Sequence, residues 1–433
     1  MKKPRAPDAV RWIARKLEDA GHETWAVGGA VRDALLGAPS GDWDLTTRAR
    51  PQDVRAIFRR TVPIGIEHGT VGVMKDGTLY EVTTFRRDVE TDGRHAVVAF
   101  ADTLEEDLSR RDFTINAVAW HPLREVLADP FGGVADMERR VLRTVGEPGE
   151  RFREDYLRIL RALRFAGIFA LAIDPPTWEA LRAMTPHLRK LSAERIRDEL
   201  VKVLDADPAP GRALGLYAES GALDVLYPEL AALRDRRTPS GADLWTLAVA
   251  TVVELPAGRP LMRLAALLKD VPRADAAALL LRSRFSNAQV DETAYRAAAP
   301  PLPEPGAEAS RYRRWLSRAG PHRLSAVARL DLARALAERR LGHVDRVDSV
   351  VASWREAKKA RAGSPPLSVG DLALDGRGLI ALGLSPGPHF GRIFEELLDW
   401  VLEDPSRNER QRLEQRALEI GATASDRAGG DRA

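Results

Sequence analysis

Two aspartates separated by one residue, Asp42 and Asp44, follow the pair Gly28-Gly29 at a short distance along the chain. On an extended strand alternate side chains share a face, so both carboxylates point one way and Trp43 points the other way. Two adjacent carboxylates repel each other unless a cation lies between them, and Mg2+ takes one or two carboxylates together with substrate phosphate oxygens. The spacing therefore predicts a magnesium site for a nucleoside triphosphate.

The glycine pair follows a short apolar run, Trp25–Val27, which predicts a strand. Glycine allows a tight turn and a close approach of the backbone to a phosphate. A helix beginning near Ala30 would add free N–H groups and its positive dipole end, and Arg32 would add a forked cationic donor. Either motif alone is typical of a turn or a solvated loop, and it is their order and spacing that favour a catalytic site.

A second group of polar residues lies in the segment 110–116, where Arg111 and Asp112 precede Asn116. Ribose hydroxyls need an acceptor and phosphates need a cation, and this segment supplies both. The turn at Asp129–Gly133 is better explained as a structural joint.

A third group lies in the segment 150–165, where acidic and basic residues recur at three-residue steps on a predicted helix. Asp155, Arg158, Arg161 and Arg164 would form one polar stripe. Arginine donates and aspartate accepts, so the stripe could read the edge of a base and hold a triphosphate. An ordinary salt-bridged helix is the alternative.

The elements that must position these residues change in character along the chain. Up to about residue 120, strand-like segments at 71–74, 78–85 and 96–100 alternate with helices, whereas nearly everything from Arg151 onward has helical periodicity. The fold class is therefore expected to be α+β, with a mixed-sheet head and an all-α remainder.

Composition limits the function further. The 433 residues contain no cysteine, so disulfides and thiolate metal sites are excluded. No apolar run is long enough to cross a bilayer and no signal peptide is evident, so a cytoplasmic protein without membrane contact is expected. The net charge of +3 does not by itself indicate a nucleic-acid partner.

The ordered motifs together resemble the bacterial class II tRNA nucleotidyltransferases, the CCA-adding family, whose head is shared with bacterial poly(A) polymerases. They are Gly28-Gly29 with Arg32-Asp33, Asp42-x-Asp44, Arg110–Asn116, Asp129–Gly133 and Glu154-Asp155-x-x-Arg158-x-x-Arg161. The resemblance implies a polymerase-β-like nucleotidyltransferase head, a helical neck, and a body and tail that bind tRNA.

The resemblance also implies a division of the chain into five segments. The expected segments are a catalytic head (1–145), a helical neck with a nucleotide-selecting helix (146–210), a degenerate HD-like helical body (211–300), a tRNA-binding body and tail (301–420) and a disordered tail (421–433).

Carried over position by position, the resemblance implies that Asp42 and Asp44 bind Mg2+ and activate the 3′-hydroxyl of the primer. The remaining roles that the resemblance implies concern the nucleotide. Gly29 and Arg32 hold the triphosphate, and Arg161 and Arg164 support it. Arg111 and Asp112 contact phosphate and ribose, and Asp155 and Arg158 select CTP or ATP. Glu81 would be a third carboxylate near the metals, or else part of a cross-strand salt bridge.

The chain departs from the family pattern at two places. Lys269 stands where many relatives have a metal-binding histidine of an HD phosphohydrolase-like domain, so that module is expected to lack hydrolase activity. The loop around residues 92–96, which relatives use in switching from C to A addition, is slightly shorter. An enzyme that adds only CC, beside a separate A-adding enzyme, therefore remains an alternative.

The main alternative function is a bacterial poly(A) polymerase that extends RNA 3′ ends with ATP. A non-enzymatic RNA-binding module would not need both aspartates and the arginine stripe. A small-molecule nucleotidyltransferase would not need the long helical second half. The expected substrates are tRNA, CTP and ATP.

Overall fold

A computed structural model of the chain describes residues 3–38, 41–91, 96–206 and 210–430. The chain divides into two compact units, one comprising Met1–Ala231 with Arg282–Arg284 and the other comprising Ala232–Leu281 with Phe285–Ala433. The first unit contains a mixed sheet with helices, and the second is helical. The predicted α+β class is therefore confirmed.

The strands all lie in the first unit. They are Thr24–Val27 (β1), Asp44–Thr47 (β2), Thr61–Pro63 (β3), Thr70–Lys75 (β4), Thr78–Thr84 (β5), Arg86–Thr91 (β6), Ala96–Phe100 (β7), Ala119–Trp120 (β8), Leu127–Ala128 (β9), Val141–Leu142 (β10) and Ala172–Ile173 (β11). The predicted strands at 25–27, 71–74, 78–85 and 96–100 are thus present.

The helices of the first unit surround this sheet and continue beyond it. They are Asp8–Asp19 (α1), Gly29–Leu36 (α2), Pro51–Ile57 (α3), Leu104–Ser109 (α4), Gly133–Arg139 (α5), Pro148–Glu154 (α6), Leu157–Ile168 (α7), Pro175–Met184 (α8), Ala193–Asp205 (α9), Pro210–Glu219 (α10), Ala222–Leu226 (α11) and Pro228–Ala231 (α12).

The remaining helices follow residue 243. They are Leu244–Val253 (α13), Pro260–Leu267 (α14), Arg273–Arg282 (α15), Asn287–Ala298 (α16), Ala309–Ala319 (α17), Leu324–Arg340 (α18), Val347–Arg361 (α19), Gly376–Ala381 (α20), His389–Glu403 (α21) and Arg410–Gly430 (α22). The sequence predicted disorder over 421–433, whereas the backbone is helical as far as Gly430, and residues 431–433 lie outside the described part.

The seven-stranded sheet has the order β3-β4-β5-β2-β1-β8-β9. Strand β2 pairs with β1 in antiparallel and with β5 in parallel orientation, so the sheet is mixed. All four residues of β1 are buried, because β1 is central and its apolar side chains Trp25 and Val27 pack against Phe85 and Leu108. This buried core supports the ends of β1 and β2 from which the glycine and aspartate motifs emerge.

The second unit has apolar cores of its own. Tyr312, Trp315 and Leu316 of α17 form one core with Val327 of α18, and a second core joins α20, α21 and α22. The boundary between the two units after Ala231 falls inside the expected body segment 211–300. The division into five segments remains a prediction.

Within the described ranges, no helix is both long and apolar enough to cross a membrane. The loop at residues 92–95, on which the choice between CCA and CC addition was based, lies outside the described residues.

Candidate active site

One cavity of the first unit is lined by every residue that the sequence predicted for nucleotide or metal binding. Its volume is about 870 Å3. The predicted residues that line it are Gly29, Arg32, Asp42, Asp44, Arg111, Asp112, Asp155, Arg158, Arg161 and Arg164. Segments that are more than a hundred residues apart in the chain thus meet around one space.

The glycine motif forms the turn between β1 and α2. Gly28 has φ 77° and ψ −141°, a conformation that side chains other than hydrogen rarely allow. A Cβ atom at this position would lie 3.2 Å from Arg111 Nη1 and 3.8 Å from Asp44 Oδ2. The missing side chain therefore allows the backbone to approach both charged groups at the start of α2.

The two aspartates differ in environment although they lie on the same side of the chain. Asp42 is exposed, whereas Asp44 is partly buried as the first residue of β2. Trp43 between them is buried, and its ring centroid is 5.9 Å from that of Trp120. The alternation agrees with the prediction that Asp42 and Asp44 share a face, because both line the cavity.

Glu81 is the third carboxylate of this wall. Leu45 pairs with Val82 in the parallel register of β2 and β5. Asp44 and Glu81 come immediately before these two residues in the chain, so they lie side by side on neighbouring strands. Burial raises the pKa of Asp44 to about 6, the charges of Glu81 and Asp42 add to the rise, and Arg111 opposes it. Glu81 makes no ion pair with a described residue, which disfavours the cross-strand salt bridge.

These carboxylates fit a divalent metal that is completed by its substrate. Among the residues that the structure describes, no group of three or more His, Asp or Glu side chains could hold a metal ion alone. Mg2+ commonly uses one or two carboxylates plus phosphate oxygens and water, and Asp42 and Asp44 offer two carboxylates of that kind. The raised pKa of Asp44 shows that its negative charge lacks compensation, and a cation would supply that compensation.

Arg32 is held rigidly at the wall of the cavity. Its Nη2 lies 2.7 Å from Asp33 Oδ1, and its Nη1 donates a 2.7 Å hydrogen bond to Asn116 Oδ1. Burial lowers the pKa of Arg32, although Asp33 partly counteracts this effect. Asn116 also donates from Nδ2 to Asp112 Oδ1, so it joins the glycine motif to the segment 110–116.

Asp112 and Arg161 form a buried ion pair across the cavity wall, with 2.6 Å between Arg161 Nη2 and Asp112 Oδ2. Burial opposes the charge of Asp112, but Arg161 and the hydrogen bond from Asn116 outweigh it, and the pKa of Asp112 is lowered. Arg164 similarly donates from Nε to Glu199 Oε2 at 2.7 Å. Both arginines therefore enter the cavity with one edge already held by a carboxylate.

The predicted stripe of Asp155, Arg158, Arg161 and Arg164 differs from the structure in one respect. Asp155 does not belong to α7 but lies in the junction between α6 and α7, with φ −155° and ψ 106°. Its Oδ1 accepts a 3.0 Å hydrogen bond from Leu157 N, and its carbonyl accepts one from Arg158 N. A short acidic side chain satisfies the free N–H groups at a helix start, which is why the helix begins anew after this residue.

Asp155 and Arg158 do not pair with each other. Asp155 Oδ2 lies 2.7 Å from Arg195 Nη2, and Arg158 pairs with Glu154 and donates from Nη2 to the carbonyl of Arg110 at 3.0 Å. The acceptor and the donor are therefore held separately, and each is orientated by its own partner.

The contribution of α9 to the cavity was not predicted from the sequence. Arg195, Glu199 and Lys202 recur at steps of four and three, which places them on one face of a helix. Glu199 is buried, and it accepts hydrogen bonds from Arg164 and from Lys202 Nζ. Glu199 falls at the helical spacing of the apolar residues Ile196 and Val203, and an acidic residue at a position of the apolar face was the signal that could have indicated this role.

The turn at Asp129–Gly133 is a structural joint. Asp129 accepts hydrogen bonds from the backbone N–H groups of Gly133 and Val134, which caps the start of α5. A Cβ on Gly133 would lie 2.1 Å from the carbonyl oxygen of Thr114. The glycine thus allows α5 to pack against the segment that carries Asp112 and Asn116.

Lys269, at the expected HD-like position, is a partly buried cation of the second unit. Its Nζ donates a 2.9 Å hydrogen bond to the carbonyl of Ala299 and lies 3.9 Å from Asp331 Oδ1. Burial lowers the pKa of Lys269, and Asp331 counteracts this effect. The ammonium occupies the space beside Asp331.

Comparisons with known proteins agree with this geometry. Residues 24–143 match the family described as the poly A polymerase head domain, and residues 170–233 match the family described as the probable RNA and SrmB- binding site of polymerase A. The CCA-adding enzyme of Geobacillus stearothermophilus is 35% identical over 406 residues, covering 93% of this chain and 94% of that relative. The CCA-adding enzyme of Geobacillus thermodenitrificans is 50% identical over 223 residues, covering 51% of this chain and 54% of that relative.

Among solved structures, the crystal structure of the Bacillus stearothermophilus CCA-adding enzyme in complex with CTP has a TM-score of 0.76 and 32% identity. It covers 98% of this chain and 100% of that chain. The similarity thus extends over the head and the helical remainder.

The mixed sheet, the glycine turn and the carboxylate pair in one cavity define the class of protein as a nucleotidyltransferase with a polymerase-type head. Within that class, the chain belongs to the CCA-adding enzymes and is a tRNA nucleotidyltransferase. The poly(A) polymerase alternative is not favoured, because the relatives that match along the full chain are CCA-adding enzymes.

Proposed function

We propose that the chain adds the complete CCA triplet to the 3′ end of tRNA from CTP and ATP, with Mg2+ held by Asp42 and Asp44. The observation that carries the proposal is the convergence of both aspartates, the glycine turn and the arginines on one cavity. The names of the similar enzymes support CCA as the product.

The reaction is a phosphoryl transfer at the α-phosphate of the nucleotide. The 3′-oxygen of tRNA forms the new bond to this phosphorus, and the bond to the bridging oxygen breaks so that pyrophosphate leaves. Magnesium, when bound, would neutralise charge on the triphosphate and favour loss of the proton from the attacking hydroxyl. Asp42 and Asp44 would hold it beside that hydroxyl.

The cationic residues would hold the leaving group. Gly29 would offer its backbone N–H at the start of α2, and Arg32, Arg161 and Arg164 would neutralise the triphosphate. Arg111 and Asp112 would contact phosphate and ribose. Arg111 lines the cavity beside Gly28, within reach of a nucleotide bound there.

Asp155 and Arg158 would select the base. A carboxylate accepts hydrogen bonds and a guanidinium donates them, so together they could complement the edge of cytosine or adenine. Their separate attachment to Arg195 and Glu154 supports this role, because a selecting pair has to be held in place without neutralising itself.

The test is an assay with tRNA that ends at the discriminator base, supplied with CTP and ATP separately and together, with products resolved at single nucleotides. We expect two additions with CTP alone and three with both. Two additions with both nucleotides would instead define a CC-adding enzyme that needs a separate A-adding enzyme. Repeated addition of AMP residues from ATP to the 3′ end of any RNA would define a poly(A) polymerase.

A further inference from the structure

An aromatic ring lies among the arginines of the cavity. Phe165 of α7 lines the cavity, although only 4% of its surface is exposed. The guanidinium carbons of Arg32, Arg161 and Arg164 lie 5.0, 5.2 and 4.2 Å from its ring centroid. All three distances are within the range of a cation–π interaction.

The ring itself is fixed by two other aromatic side chains. Phe169, one turn further along α7, stacks on Phe165 with 6.0 Å between centroids and 22° between planes. Phe113 meets the ring edge-on at 5.9 Å and 86°. Arg32 also lies 4.5 Å from the centroid of Phe169, so it contacts both members of the stacked pair.

The three guanidinium groups are held at their edges by different carboxylates. Arg32 is attached to Asp33, Arg161 to Asp112 and Arg164 to Glu199. Arg164 uses only its Nε in this contact, and its two terminal nitrogens have no hydrogen-bond partner in the described part of the chain. Donors thus remain available for an anion.

Three cations around one space repel one another, and each must be held without losing its ability to bind phosphate. A further carboxylate would hold them, but it would compete with the anionic substrate for the same donors. An aromatic ring attracts a cation through its quadrupole and adds no net negative charge.

We propose that Phe165 is a positioning residue for nucleotide binding, whose ring holds Arg32, Arg161 and Arg164 together in the orientation that receives the triphosphate. This inference rests on the proposed function, since it assumes that the anion is the triphosphate of CTP or ATP. Phe165 does not touch the reacting atoms, and it acts through the three arginines.

The test replaces Phe165 in the full-length chain with phenylalanines that carry one, two or three ring fluorines, which keep the shape and weaken the quadrupole. The Kd for CTP and for ATP, without tRNA, is measured by titration, and KM and kcat are measured with tRNA. We expect a stepwise rise in Kd and KM, reaching roughly three- to tenfold for trifluorophenylalanine. The melting temperature and kcat should change little.

Phe152 provides a matched control, because its ring is fully buried on α6 and no described Arg or Lys stacks on it. Fluorination of Phe152 should leave Kd and KM unchanged. The variant Phe165→Leu tests the same point by removing the ring, and it should weaken nucleotide binding at least as much as trifluorination.

An unchanged Kd across the fluorinated series at Phe165 would overturn the proposal, as would a Kd that follows the melting temperature and not the number of fluorines. Failure of the proposed function has a different signature. In that case the wild-type chain would not extend tRNA with CTP and ATP, whatever residue occupied position 165.

Discussion

Asp42 and Asp44 lie two residues apart but are not equivalent. Asp42 is exposed, whereas Asp44 is partly buried, lies beside Glu81 and has a pKa raised to about 6. A carboxylate with a raised pKa is common at functional sites, where burial and neighbouring like charges are brought together. Asp44 is thus the member of the pair that gains most from a bound cation.

The first prediction concerns activity. Replacing Asp42 or Asp44 with asparagine should lower nucleotide incorporation by on the order of a hundredfold to a thousandfold, because the proposed metal ligand loses its charge while its size is kept. Binding of tRNA, measured by filter retention, should stay close to the wild-type value.

The control is Asp19→Asn, which removes an exposed carboxylate at the end of α1. It should leave incorporation unchanged. Incorporation at the wild-type rate by the Asp44→Asn variant would contradict the assignment of this residue as a metal ligand.

The second prediction concerns stability and pH. The pKa of Asp44 is about 6 in the folded chain and 3.8 is its ordinary value, so the folded state binds this proton more readily than the unfolded state. The charged form therefore destabilises the fold above pH 6, and this penalty disappears as the pH falls towards 4. In the absence of metal, Asp44→Asn should raise the free energy of unfolding by about 1–2 kcal/mol at pH 8 and by nothing at pH 4.

The measurement is denaturant unfolding at several pH values in the presence of a chelator. Asp19→Asn, at an exposed position outside the cavity, is the control and should change stability little at either pH. A stability gain at Asp44 that is the same at pH 4 and pH 8 would show that its cause is not the carboxylate charge.

At the scale of elements, two junctions determine the cavity. The turn between β1 and α2 brings Gly28 beside Arg111 and Asp44, and the junction between α6 and α7 turns Asp155 towards Arg195 of α9. The first junction depends on a positive-φ conformation that favours glycine, whereas in the second the extended backbone of Asp155 is ordinary and its side chain accepts a hydrogen bond from Leu157 N.

The third prediction concerns the glycine turn. Gly28→Ala should cost about 1–2 kcal/mol of stability because φ is positive, and it should also raise KM for CTP and ATP severalfold because its Cβ would approach Arg111. The matched control is Gly21→Ala, where φ is 85° and no atom lies within 4 Å of the added carbon. Equal kinetic effects of both variants would rule out a specific role for the space at Gly28.

The fourth prediction concerns Arg195, which orientates Asp155 through a 2.7 Å ion pair. Arg195→Ala should reduce the preference for the correct nucleotide at each step, since Asp155, which we propose accepts from the base, would lose its support. Arg197→Ala on the same helix is the control, because Arg197 does not line the cavity.

The readout is the ratio of kcat/KM for CTP and ATP at the first addition, together with the melting temperature. A loss of stability without any change in this ratio would make Arg195 a residue of the fold and not of selection.

At the scale of the whole molecule, the chain consists of two compact units with separate cores, and the candidate cavity belongs to the first. In the second unit, the partly buried ammonium of Lys269 lies next to Asp331, at the position where the resemblance implied a metal-binding histidine. A cation in this place repels a second cation, so we expect no metal to bind beside Lys269.

The fifth prediction tests this division. Lys269→Met should lower the free energy of unfolding by about 1–3 kcal/mol, because it leaves the buried Asp331 without a cationic neighbour at 3.9 Å. Nucleotide addition should be unchanged. The double variant Lys269→Met with Asp331→Asn should recover part of the lost stability. Hydrolysis of phosphomonoesters by the wild-type chain in the presence of Mn2+ would contradict a purely structural role of Lys269.

Residue patterns alone predicted the α+β class, several of the strands and ten of the residues that line the cavity. Those features depend on local periodicity and on short motifs such as Gly28-Gly29 and Asp42-x-Asp44, which residue spacing records directly. Only the tertiary structure decided the partners: Asp155 with Arg195, Arg164 with Glu199, and the three arginines around Phe165. Those contacts join side chains up to 133 positions apart in the chain, as from Arg32 to Phe165. Their geometry follows from how α2, α7 and α9 pack against one another, and no local sequence pattern specifies that packing.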